Sequence, residues 1–377
     1  MQTDWEIART TTAHVWREWR PSNLRVECQR TSMTRLRVAV ADHMGQHLFR
    51  GTGAVGEYEI GIATANAKLG PRLTLAFGDG YPQPAALGHS TADQSPLRSV
   101  EARGVLYEVE HRRRLELRTA HGRTMSWRAC HRRVITGCRV GDNVVPVLCQ
   151  DLSDYRANPG SVFPDVQLVP PNRSLGTQSF SWLWSPLALS SLFARSWSRS
   201  LRGSSTPCVK MPAAIQIIDD GTSAPTDLEG TRRRRFELVD QSGTRHGPTT
   251  LTSAATVDEL SGHAGIAGPE IEELRVVPRS VVVPSTDCDF HVVVAARRLA
   301  ASQNLLVLTF VAASLPRPDR TFTAVVRIGN LDRFFDHGRW HGPSSRGNSG
   351  WMSPWYEMTE PSVLSLSVLS LEESACG

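Results

Sequence analysis

The chain has 377 residues, a formal net charge of +5 and hydrophobic residues at 40% of its positions. This hydrophobic content excludes an intrinsically disordered chain, and the length is sufficient for two domains with separate cores. The positive excess permits contact with nucleic acid, but it is too small for this length to identify a nucleic-acid-binding protein by itself.

The seven cysteines indicate a reducing compartment, because they are odd in number, scattered, and include no Cys-x-x-Cys pair of the zinc-ribbon type. The N-terminus lacks the basic and apolar regions of a signal peptide. No apolar run approaches the roughly 20 residues that span a bilayer. We therefore expect a cytoplasmic protein that is not secreted, has no membrane span and binds neither a metal nor a cofactor.

The first predicted domain covers residues 1–155 and is rich in β-strands. A short helix is predicted over Thr3–Arg20, with large apolar residues on it and a proline directly after it. From Leu36 to Val40 the apolar residues recur at every second position, which is typical of a half-buried strand. Further short strands, including one over Glu57–Ala63, bring the total to about nine, and this number favours a β-sandwich or barrel.

Residues 156–230 are predicted to be a linker that carries one basic amphipathic helix over residues 186–202. Ser185 is placed to cap this helix, and its leucine, phenylalanine and tryptophan residues fall on one side. Three arginines, Arg195, Arg199 and Arg202, line another side. The basic side suits a membrane surface or RNA, whereas docking of the apolar side on a neighbouring domain is the more ordinary use of such a helix.

The third segment, residues 231–377, reads as a second β-domain with a serine set between glycines. The stretch from Arg346 to Trp351 places Ser349 in a loop before a strand, where flanking glycines allow a sharp turn. The amides of Gly347 and Ser349 are able to point at one oxyanion. Upstream, Asp289 precedes an apolar strand, and a strand followed by a small-residue turn leads to Thr256.

In this order the three segments resemble the trypsin/chymotrypsin-like serine proteases, particularly the compact viral ones. The resemblance covers roughly residues 230–371 and implies an antiparallel β-barrel pair. It implies a site formed by Thr256, Asp289 and Ser349, with oxyanion-binding amides at Gly347 and Asn348. Thr256 occupies the position of the catalytic histidine, and a threonine does not accept a proton near neutral pH, so we expect this site to be degenerate.

Three hypotheses for function follow. The first is a non-catalytic structural or interaction protein, a pseudoprotease that contacts other protein subunits within a larger assembly such as a viral particle or its capsid. The second is an active serine hydrolase whose base is supplied by another histidine: His246, His263, His291 or His341. The third is an RNA-associated protein that makes weak contacts through Arg195, Arg199 and Arg202.

Overall fold

The computed structural model describes most of the chain. The described residues are 4–19, 23–82, 95, 97–98, 105–140, 143–157, 181–201, 215–221, 224–265, 269–282, 290–300, 305–311, 320–347, 350–359 and 366–375. All structural statements below concern these residues.

The described residues form one large mixed sheet with few helices. Its strands are β1 Asp4–Trp19, β2 Leu24–Val40, β3 His43–Arg50, β4 Val105–Thr119, β5 Thr124–Val140, β6 Asn143–Asp151, β7 Ser181–Trp184, β8 Ile215–Asp219, β9 Phe236–Val239, β10 Leu274–Pro278, β11 Phe290–Ala300, β12 Leu305–Val311, β13 Arg320–Ile328, β14 Gly338–Arg346, β15 Trp351–Met358 and β16 Leu366–Ala375. The α-helices are α1 Glu57–Ala67, α2 Leu152–Ala157 and α3 Pro186–Leu201.

The strand order along the sheet is β16-β13-β12-β11-β7-β15-β14-β6-β5-β4-β1-β2-β3, with β10, β8 and β9 branching from β15. The prediction of a mostly β protein is therefore confirmed. The predicted protease-like barrel pair is not confirmed, because the hydrogen-bonded path runs through strands of both halves of the chain. The predicted domain boundaries stay a prediction.

The prediction of an N-terminal helix is wrong, since Asp4–Trp19 forms the long strand β1. β1 is antiparallel to β2 on one side and to β4 on the other, so both edges of its backbone are hydrogen-bonded. Three consecutive threonines, Thr10 to Thr12, lie at its centre. Such β-branched residues lose side-chain freedom in a helix and pack well on a pleated sheet.

The strand predicted over Glu57–Ala63 is instead the first part of α1. The helix begins where the Gly56 amide donates a hydrogen bond to Glu59 Oε2 at 2.9 Å. Ala63 and Ala67, one turn apart, are buried against β3 at Gly45, where any Cβ would collide with the backbone oxygen of Ala63. The close approach of small residues therefore fixes this segment as a helix.

The main hydrophobic core surrounds α3, as the docking interpretation of this helix predicts. Leu189, Phe193 and Trp197 are fully buried among residues of the second half. The helix begins at Ser185, whose Oγ accepts a hydrogen bond from the Ala188 amide at 3.1 Å. Arg195, on the other side, is exposed.

Buried and half-buried ion pairs join the sheet of the first half to loops of the second half. We call this set the ionic seam; its members are Glu6, Arg35, Arg37, Arg113, Arg133, Glu229, Arg233, Glu270, Glu272 and Glu273. In it, Arg113 pairs with Glu272, and Arg133 lies 3.6 Å from Glu273. The arginines of β2, β4 and β5 thus contact carboxylates that lie far along the chain.

Arg37 is the most completely enclosed cation of the seam. Its Nη2 lies 2.6 Å from Glu6 Oε1 and its Nη1 lies 2.5 Å from Glu229 Oε1, while its guanidinium carbon lies 5.0 Å from the centre of the Phe77 ring. Burial lowers the pKa of Arg37, but the carboxylates of Glu6 and Glu229 outweigh this effect, so its pKa lies above the ordinary value. Arg37 is therefore charged at every pH at which the protein folds.

Replacing Arg37 with methionine leaves the carboxylates of Glu6 and Glu229 buried without their cation. We expect the free energy of unfolding to fall by about 3–5 kcal/mol, the usual cost of breaking a buried ion pair. Urea unfolding measures it. Arg50→Met is the matched control, because Arg50 is exposed on the neighbouring strand. A loss below about 1 kcal/mol for Arg37→Met would contradict the structural role of the seam.

Candidate partner-binding edge

Among the described strands, one segment of β2 has a hydrogen-bonded neighbour on one side and none on the other. β1 pairs with β2 along its whole length, from Leu24 to Ala39, whereas β3 covers β2 only from Met33 to Val40. Residues 24–31 are exposed and pair with no other described strand. We call this segment the open edge; eight residues of strand extend over about 26 Å.

The backbone groups that point away from β1 belong to the even-numbered residues of the open edge. The Gly51 amide donates to the Ser32 carbonyl at 2.8 Å, so Ser32 faces away from β1. In a strand, the N–H and C=O of one residue point to the same side and alternate from residue to residue. The outward groups therefore belong to Leu24, Val26, Cys28 and Arg30, and they form a template for another strand.

The same even-numbered residues carry an apolar stripe on one face of the sheet. Leu24 is 43% exposed and Val26 is 54% exposed. Cys28 is an exposed free thiol. On β1, the apolar residues Trp19 and Val15 lie directly opposite Leu24 and Cys28, while Arg17 lies between them, opposite Val26.

On the opposite face, a row of polar side chains begins at the open edge. Gln29 on β2 is followed by His14 on β1, His111 on β4 and His131 on β5, each directly opposite the next. The rings of His14 and His111 are stacked, with centroids 4.4 Å apart and planes inclined by 11°. We call these three residues the histidine row.

Charge pairs hold the strands beside the open edge in place. Arg17, which lies opposite Val26, is 3.3 Å from Glu108 and 2.8 Å from Glu110 on β4. Arg132 on β5 is 3.1 Å from each of the same two glutamates. Because both glutamates are buried, these pairs resist sliding of β1 along β4, and the open edge rests on a fixed neighbour.

The residues of the predicted protease site are only partly described. Thr256 is exposed at the start of a short 3-10 helix, Val257–Glu259. Asp289 and Ser349 lie outside the described residues, so their grouping with Thr256 stays a prediction. His291 on β11 and Met358 on β15 both lie opposite Trp182 of β7, the strand between them. Trp351, at the start of β15, precedes Met358 by seven residues, which is about 23 Å along the strand.

Of the two predicted oxyanion-binding amides, that of Gly347 is described, and the prediction of a shared site with Asn348 stays a prediction. The Gly347 amide donates to the Trp351 carbonyl at 2.8 Å, so the turn itself uses this donor. Asn348 lies outside the described residues.

The histidines considered as substitute bases have other surroundings. His263 is fully buried with Nε2 3.3 Å from Asp219, and His341 is buried with Nε2 2.6 Å from Glu357. His291 is buried edge-on to Trp182, and His246 lies near the surface, 3.1 Å from Asp240. Three of the four are therefore interior residues with structural contacts.

The predicted nucleic-acid residues are described only at Arg195. The side chain of Arg199 and the whole of Arg202 lie outside the described residues, so an RNA contact at this helix stays a prediction. Among the residues that the structure describes, no group of three or more His, Cys, Asp or Glu side chains is placed to hold a metal ion. None of the described helices has the length and apolar character needed to cross a membrane.

The open edge is the feature that the sequence analysis missed. Leu24, Val26 and Cys28 alternate with Arg25, Glu27 and Gln29, which is the period of a strand, but this stretch was assigned to no element. The alternation identifies a strand. It does not show that the neighbouring strand β3 is too short to reach residues 24–31.

Comparisons with known proteins identify the fold. No family model matches the chain, and no curated protein matches it significantly. A protein from Thermotoga maritima, provisionally described as a modulator of a DNA gyrase, aligns with a TM-score of 0.57 and 11% identity, over 98% of this chain and 96% of its own. TldE from Thermococcus kodakarensis aligns with a TM-score of 0.53 and 12% identity, over 94% of this chain and 95% of its own.

These two similarities overturn the viral interpretation. Both proteins come from cellular organisms, and each alignment extends over nearly the whole chain rather than over its second half. The resemblance to a viral trypsin-like protease is therefore wrong, and so is the assignment to a viral particle or capsid. Short Gly/Ser/Asn segments are common in turns of many folds, which explains the misleading motif. The serine hydrolase and RNA alternatives gain no support from the comparisons.

The histidine row makes a testable contribution to stability. Burial, followed by the nearby charges of His14, Arg113, His131 and Arg133, lowers the pKa of His111 to about 4. The unfolded chain binds this proton at about pH 6.5, so stability from a neutral His111 is present above that pH. It is lost as the pH falls towards 4.

We expect His111→Gln to reduce the fall in unfolding free energy between pH 6.5 and pH 4 by about 1 kcal/mol, after allowance for the partial exposure of the ring. Urea unfolding at a series of pH values measures this. His121→Gln is the control, since His121 is largely exposed at a turn. An unchanged pH dependence in His111→Gln would show that this ring is not held neutral.

Proposed function

We propose that this chain binds another protein along the open edge of β2 and modulates the activity of that protein. The observation that carries the proposal is the eight-residue segment, exposed on both faces, whose outward backbone groups pair with no described strand. Proteins normally shorten, cover or charge such edges, because an open edge recruits another chain. Here one face of the edge carries an apolar stripe, although Arg25, Glu27 and Arg30 lie in the same segment.

The shape of the edge favours a polypeptide over a small molecule. Small ligands are usually enclosed in concave pockets, whereas Leu24 and Val26 are exposed side chains on an edge of the sheet. A strand added at this edge gains main-chain hydrogen bonds along its length and side-chain contacts on both faces. The similar protein from Thermotoga maritima, provisionally described as a modulator of a DNA gyrase, agrees with action on another protein.

A photo-crosslinking amino acid at position 26 tests this function in cells of the source organism. We expect one dominant crosslinked protein, because a bound strand would lie within about 5 Å of this side chain. The matched control is position 281, a valine of similar exposure, 48% against 54%. No discrete product from position 26, or the same products from both positions, would contradict the proposal.

The modulation itself is tested with the crosslinked protein once it is identified. Val26→Pro removes an outward N–H and leaves the pairing with β1 intact, since Pro is tolerated on edge strands. Val26→Thr keeps the N–H. We expect Val26→Thr, but not Val26→Pro, to alter the activity of the partner as the unchanged chain does. Equal effects of the two variants would show that strand pairing at this edge is not required.

A further inference from the structure

The open edge also specifies what kind of segment it binds. We infer that the partner contributes an extended strand with apolar residues at alternate positions and a carboxylate placed opposite Arg30. This inference rests on the proposed function and adds the chemistry of the bound segment.

The apolar requirement follows from the stripe. Leu24, Val26 and Cys28 project from the same face at alternate positions, and all three are exposed. Residues directly opposite each other on paired strands have Cβ atoms about 4.5–5.5 Å apart, so apolar partner residues at these positions would cover the stripe. Each pair adds buried apolar area without adding a buried polar group.

The carboxylate requirement follows from the charge at one end of the stripe. Arg30 is exposed and lies opposite Ala13, and no ion pair joins it to a described residue. Arg112, opposite Ala13 on β4, adds a second cation on this face, although Glu110 pairs with it. By contrast, Arg25 on the other face already pairs with Glu27. Arg30 is therefore the cation at the open edge that a partner carboxylate would meet.

A second copy of this chain satisfies these requirements poorly. Two-fold symmetric pairing of open edges must align residues that project from the same face, and the two registers that align the most residues centre on Glu27 and on Cys28. The first register places Glu27 against its own copy and Arg30 against Leu24. The second register places Arg30 against Val26. Neither register supplies a carboxylate to Arg30, so the charges favour a different protein as the occupant.

A designed peptide tests the inference on the full chain. The probe is fluorescein-labelled Thr-Glu-Thr-Val-Thr-Val-Thr-Val, whose glutamate faces Arg30 in antiparallel pairing while its valines face the apolar stripe. The comparison peptide has lysine in place of glutamate. At low salt we expect fluorescence anisotropy to show binding of the glutamate peptide about 3- to 10-fold tighter than that of the lysine peptide.

Two variants make the test specific. Arg30→Glu should reverse the preference, so that the lysine peptide binds more tightly. Val26→Pro, which removes an outward N–H, should abolish binding of both peptides, whereas Val26→Thr, which keeps this N–H but adds a hydroxyl to the stripe, should weaken binding only partly. Absence of binding, equal binding of the two peptides, or an unchanged preference in Arg30→Glu would overturn the inference.

Two further results separate a second copy of this chain from a different partner, and failure of the inference from failure of the proposed function. A dimer in size-exclusion chromatography that Val26→Pro converts to a monomer would identify a second copy as the occupant and overturn the inference. A partner crosslinked from position 26, together with failure of the peptide preference, would overturn only the chemistry of the segment and leave the proposed function standing. Failure of the crosslink overturns the proposed function itself.

Discussion

A buried arginine has to be paired with a carboxylate, and this constraint determines how the two halves of the chain meet. Arg37 on β2 lies between Glu6 of the adjacent strand and Glu229 of a distant loop. Removing either carboxylate would leave a charge in the interior, which is costly enough to unfold many proteins. The C-terminal part of β2 is therefore fixed, and its N-terminal part extends beyond β3 with β1 as its one neighbour among the described strands.

β2 therefore has a C-terminal part that is held within the sheet and an N-terminal part, the open edge, that another strand can pair with. In residues 33–39 both edges of β2 are paired, whereas β1 is the one described strand that pairs with residues 24–31. The buried glutamates Glu108 and Glu110 pair with Arg17 and Arg132, and these pairs hold β1 in place beside the open edge. A strand that is rigid but unpaired on one side loses little conformational entropy when a partner binds, and this favours recognition.

The sequence predicts local structure where alternation is clear and fails where distant contacts decide. The strand at Leu36–Val40 and the helix at residues 186–201 were predictable from their periods and, for the helix, from Ser185 as its cap. The strand over Asp4–Trp19 was not, since its pairing with β4 involves residues about a hundred positions away. Likewise, the packing of Ala63 on Gly45 makes α1 a helix, and no local pattern reveals that contact. The open edge depends on where β3 ends, which is again a tertiary property. The local motif from Arg346 to Trp351 instead predicted a protease-like site in another part of the chain.

Residue-resolved amide hydrogen exchange of the isolated chain shows directly whether the outer edge of residues 24–31 is open. We expect an alternating pattern along the open edge: the amides of Val26, Cys28 and Arg30 exchange nearly as fast as unprotected peptide, while those of Arg25, Glu27 and Gln29, which face β1, are slowed by pairing. Binding of the partner should then protect the first three. Slow exchange at Val26, Cys28 and Arg30 in the isolated chain would show that the edge is already paired and would contradict the account.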